Sequence, residues 1–80
     1  MKDTPEYLEE FARSSGIDTS SWRTWHTESM LSVSGIRERA HALALRNFIT
    51  ERMSMEAEVN EPPHPDGDWA VVAIPAPRAN

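Results

Sequence analysis

The stretch Trp69-Ala70-Val71-Val72-Ala73-Ile74 is apolar at every position, with Asp66-Gly67-Asp68 before it and Pro75 behind it. An unbroken apolar run of this length, fenced by turn residues and proline, reads as a strand buried on both faces. Each main-chain N–H and C=O of such a strand needs a hydrogen-bonding partner, and the fold therefore turns on where this strand finds its neighbours. Just upstream, Pro62-Pro63-His64-Pro65 excludes regular structure. It has the form of a P-x-x-P ligand, but between two regular elements it is more simply a rigid connector.

From Ile36 to Glu61 there is neither Gly nor Pro, and Ser34 stands ready as a cap, so a long helix is expected over about 35–55. Steps of about 100° per residue give it two apolar stripes. Ile36, Ala40, Leu43 and Ala44 form one, while Leu45, Phe48, Ile49 and Met53 form the other. Arg37 and Arg39 near its start and Glu56, Glu58 and Glu61 near its end oppose the helix dipole. An early stop, near residues 53–55 with the glutamates in a loop, relieves that conflict.

Toward the N-terminus, Thr4 and Pro5 read as an N-cap and first helical residue, with Tyr7, Leu8, Phe11 and Ala12 at helical spacing and Gly16 as the stop. This predicts a helix over about 5–14. Trp22, Trp25, Ser29, Met30 and Val33 also fall along one helical side, and a second helix is expected over about 19–30. The β-rich residues 30–33 are the one internal candidate to pair with 69–74.

The expected architecture is thus a mainly helical α+β fold, with three helices and one C-terminal strand over about 69–74. With so little sheet inside the chain, the strand is expected to pair across a homodimer, which would also cover the spare helical stripe. Residues 1–80 are read as a single small domain with a mobile tail at about 76–80. A core this small gains from association, and there is no cysteine to cross-link it.

The net charge of −5 argues against broad, charge-driven binding to nucleic acid. No apolar run approaches a membrane span or a signal peptide, so a cytoplasmic protein is expected. His26, His41 and His64 are scattered, and no Gly-x-Ser-x-Gly elbow, thiol or glycine-rich phosphate loop appears. The expectation is a non-enzyme with no cofactor and no metal.

What remains is recognition of another protein. Trp22 and Trp25 serve either as core anchors or, beside Arg23 and His26, as a binding hot spot. Arg39 and Arg46 share one helical face, and Trp69 and Val71 belong to the strand expected at the interface. These six residues are the candidate protein-binding set. The expected function is a small acidic regulator or inhibitor that binds a protein partner, of the size of phage or mobile-element accessory proteins. In one form of this reading, its carboxylates occupy the basic groove of a host nucleic-acid-binding complex. The alternative is a small helix-turn-helix-like DNA-binding regulator that uses the arginines of the third helix.

Overall fold

The computed structural model describes residues 5–64 and 66–75, which form two helices and four strands in the order α1 (Glu6–Ser15), β1 (Arg23–His26), β2 (Leu31–Ile36), α2 (Arg39–Met53), β3 (Met55–Asn60) and β4 (Trp69–Pro75). The sheet order is β1-β2-β4-β3, with antiparallel pairing throughout. Because β2 and β3 both run against β4, they are parallel to each other. The β2-α2-β3 segment is a crossover with β4 inserted between its two strands.

This corrects the expected fold of three helices and a solitary strand. The apolar run at 69–74 is a strand, but an interior one: it pairs with β2 on one side (Val33 opposite Val71) and with β3 on the other (Val59 opposite Val71). Its hydrogen-bonding edges are occupied within the chain, so it does not supply the strand pairing of a homodimer. Residues 30–33, the internal rival for that pairing, fall in the turn and first part of β2.

The expected helix over 19–30 is instead β1, a turn and the approach to β2. Thr27 N–H donates to the Met30 carbonyl at 2.8 Å, and Ser29 N–H donates to Thr27 Oγ1 at 3.3 Å, which closes the hairpin with Ser and Thr in place of glycine. Helical spacing of Trp22 and Trp25 was coincidental. Trp22 precedes β1 and packs on the core, while Trp25 lies in β1 on the opposite face of the sheet.

The expected helix over 35–55 is divided. Its beginning belongs to β2, where Gly35 does not open a helix but adopts φ +80 within a register irregularity between Val33 and Ile36. The irregularity restores Ile36 to the core side as an element of β2. The helix then runs from Arg39 to Met53 and stops where the dipole argument places its end, at Ser54 in the left-handed region (φ 53). The glutamates beyond it are not in a loop: Met55-Glu56-Ala57-Glu58-Val59-Asn60 alternates half-buried and exposed residues as β3. With two helices separated by a hairpin, the described residues lack the three-helix frame on which the helix-turn-helix alternative was built.

One core holds the layers together. Leu8 and Phe11 from α1, Ala42, Leu45 and Ile49 from α2, and Leu31, Val33, Ile36, Val71 and Ala73 from the sheet form a single buried cluster. Phe11 links the helices through ring contacts, with centroids 5.3 Å from Phe48 and 5.9 Å from Trp22. Arg52 near the end of α2 pairs with Glu10 of α1 across the surface. Of the two stripes anticipated on the long helix, the one holding Leu45, Phe48 and Ile49 faces this core. The other dissolves, since Ile36 is in the sheet, Ala40 is exposed and Leu43 borders a groove.

Both helices therefore lie on the same face of the sheet, and no helix among the described residues lies on the other face. No helix among the described residues is long and apolar enough to cross a membrane. The expected mobile tail at 76–80 and the Thr4 cap lie outside the described residues; Pro5 holds the N-cap position of α1.

Candidate functional site

Strand alternation assigns every side chain of the sheet to one of two faces. Thr24, Val33, Val71 and Val59 form one cross-strand row directed toward the helices. The next row, Trp25, Ser32, Val72 and Glu58, points away from them. Arg23 and Ser34 flank this outer row at one end, and Ile74 opposite Glu56 flanks it at the other. Trp25 is 56% exposed and Ile74 46%, and they are the large hydrophobic residues most exposed among the described residues. The helix-free face thus has an apolar middle, a cation on the β1 side and two carboxylates on the β3 side.

A second surface lies on the helix side. An open groove of about 670 Å³ runs between α2 and β3, with Arg39, Leu43 and Arg46 on its helical wall and Trp69 at its inner end. Residues 57–61 form the opposite wall. Alternation turns the Glu58 and Asn60 side chains toward the far face, so these residues border the groove through their main chain. β3 is a terminal strand of the sheet, with β4 on one side and no strand among the described residues on the other. A further concavity beside Thr50, Ser54 and Met55 continues along the same edge.

The Arg46 guanidinium donates to the exposed Asn47 side-chain carbonyl at 2.9 and 3.3 Å. Neither Arg39 nor Arg46 has a carboxylate within ion-pair distance among the described residues. Of the six candidate residues taken from the sequence, the fold brings Arg39, Arg46 and Trp69 together here. Trp25 lies on the opposite face, Trp22 is half-buried against Phe11, and Val71 is fully buried at the centre of the sheet.

Sequence reasoning missed Ile74, Glu56, Glu58 and the exposed edge of β3. The available signal was the period-two alternation of residues 55–60, masked by Met, Glu and Ala, which are all good helix formers.

Two titratable groups have displaced pKa values, each with a structural cause. Burial of the Tyr7 phenol against the core pushes it up to about 12. The Ser20 main-chain N–H, which donates to the Asp18 carboxylate at 3.0 Å, and then the Ser20 hydroxyl, hold that carboxyl below its ordinary value. Both lie away from the groove and from the helix-free face. Among the described residues no three His, Asp or Glu side chains gather as a metal-holding group. Compared with protein-family models, with curated proteins and with solved structures, the chain matches none of them.

Proposed function

We propose that this chain is a small, non-enzymatic regulator or inhibitor that acts in the cytoplasm by binding protein, and that it does so as a homodimer joined through the helix-free face of its sheet. The observation that carries this reading is the exposed pair Trp25 and Ile74 on a sheet face that no helix among the described residues covers. Exposed aromatic and aliphatic residues grouped on one face mark contact surfaces, and a small domain gains stability by covering them.

The charge pattern of that face fits a second copy of itself. A two-fold axis parallel to the strands lays β1 of one protomer over β3 of its partner. Arg23 then meets the Glu58–Asn60 end of β3, and Trp25 lies over the row that contains Val72. Each contact occurs twice, as a two-fold interface requires. The alternative axis, perpendicular to the strands, stacks β1 on β1 and β3 on β3 and sets like charges together.

Sedimentation equilibrium tests this association. Wild-type protein is expected to be dimeric at micromolar concentration, and Trp25→Ser with Ile74→Ser to be a folded monomer. A wild-type monomer across that range contradicts it.

Specific DNA binding through Arg39 and Arg46 is the competing reading. It is opposed by the net charge of −5 and by the lack, among the described residues, of a three-helix frame that would present these arginines to a DNA groove. Sequence-specific gel shifts at low salt that vanish in Arg39→Ala with Arg46→Ala would favour it.

A further inference from the structure

We propose that the free edge of β3 is a strand-addition site for an extended segment of a different protein, with acidic side chains directed at Arg39 and Arg46. This rests on the protein-binding reading and is independent of the two-fold association, which uses another face.

An edge strand presents a row of unpaired N–H and C=O groups, the template on which an incoming strand is built. Here that row is six residues long, Met55–Asn60, and it is the floor of a groove whose other wall is a helix. An added strand would lie beside β3 in the plane of the sheet, on the side away from β4, with alternate side chains facing the α2 side. Those side chains would meet Arg39, Leu43 and Arg46. Arg39 and Arg46 are two helical turns apart, about 10 Å along the axis, and same-face residues on a strand recur about every 7 Å. Two carboxylates four residues apart on the incoming segment lie about 14 Å from one another, a span the long Arg39 and Arg46 side chains can bridge from their separation of about 10 Å, and the apolar residue between them on the same face would cover Leu43. Guanidinium and carboxylate form paired, charge-assisted hydrogen bonds.

The same residues argue against a second copy of this chain as occupant. Antiparallel pairing of β3 with β3 of another copy would place Glu56 and Glu58 beside the partner's glutamates on the outer face. Like charges opposite one another destabilise a strand pair. The glutamates protect the edge from self-pairing and leave it open to a segment with neutral or basic residues at its outward positions.

The probe is a synthetic peptide of about eight residues with Glu and Leu at alternate positions and Thr between them. Three controls accompany it: the peptide with Gln for Glu, and two acidic peptides, each methylated at one of the two alternate sets of backbone nitrogens. Titrated into ¹⁵N-labelled protein, the acidic peptide is expected to shift the amides of residues 55–61 and slow their hydrogen exchange. It should bind at least ten-fold tighter than the Gln peptide, and methylation of one alternate set of nitrogens should abolish binding. Arg39→Glu with Arg46→Glu, at positions outside the buried core, should remove the preference for acid. Absence of binding, equal binding of the Glu and Gln peptides, or indifference to methylation in both sets overturns the proposal. So does protection of these amides that grows with protein concentration alone, which would mean self-pairing. Shifts confined to Trp25 and Ile74 would remove this site while leaving the protein-binding reading intact.

Discussion

Val33 of β2 and Val71 of β4 sit directly opposite one another, and both are completely buried. The pair lies where the two hairpin strands meet the C-terminal strand, on the face covered by α2, and joins the two halves of the chain. Truncation at this point leaves a cavity that the surrounding strands cannot close. Val71→Ala is expected to cost about 2 kcal/mol, read as a lower urea midpoint with an unchanged slope. Val72→Ala, one residue away and half-buried on the opposite face, should cost clearly less. Equal losses at the two positions would contradict the assignment of faces.

Gly35 has two reasons to be glycine. Its φ is +80, and a Cβ there would lie 2.7 Å from the Ser21 carbonyl oxygen. Gly16, at the end of α1, shares the positive φ (+75) but has nothing within 4 Å of the same position. Gly16→Ala should therefore cost only the backbone term, about 1 kcal/mol, whereas Gly35→Ala adds a clash with main chain and should cost at least twice as much. Thermal denaturation of the two variants side by side provides the comparison.

Tyr7 is the sole tyrosine, so the tyrosinate band in the near ultraviolet reports a single group. Its midpoint in the folded protein is expected near 12 instead of the usual 10. The folded state keeps the phenol neutral after the unfolded chain has begun to ionise, so the unfolded state loses protons first. Stability contributed by this group is intact below about pH 10 and declines as the pH rises toward 12. Tyr7→Phe should flatten that decline.

These particular residues also show how far the sequence could be read. Strand β4 was legible because its run is apolar throughout, and α1 because Pro5 and Gly16 punctuate a clear helical period. The end of α2 was legible from charge opposed to its dipole. Strand β1 was not, because Trp22 and Trp25 fit a helical period as well as a strand, and because its turn contains no glycine. Gly35 marks a break in either reading: it opens a helix on paper and forms a bulge in the sheet. Strand β3 was hidden by its helix-forming composition, although its alternation was present. Missing both β2 and β3 left β4 without either neighbour, and this produced the expected pairing across a homodimer. Of the candidate site, the clustering of Arg39 with Arg46 could be read from helical spacing. The approach of Trp69 could not, since it depends on the position of β4 in the sheet.

The two-fold association through the helix-free face is the central claim, and exchange of charge across it is the most direct measurement. Dimer dissociation constants should be determined by sedimentation for wild type, Arg23→Glu, Glu58→Arg and the double variant. Each single change is expected to weaken the dimer, by roughly ten-fold if each contact contributes about 0.7 kcal/mol and occurs twice. The double variant restores opposite charges and should recover most of the wild-type affinity. Additive weakening in the double variant, or no effect from either single change, would contradict the account.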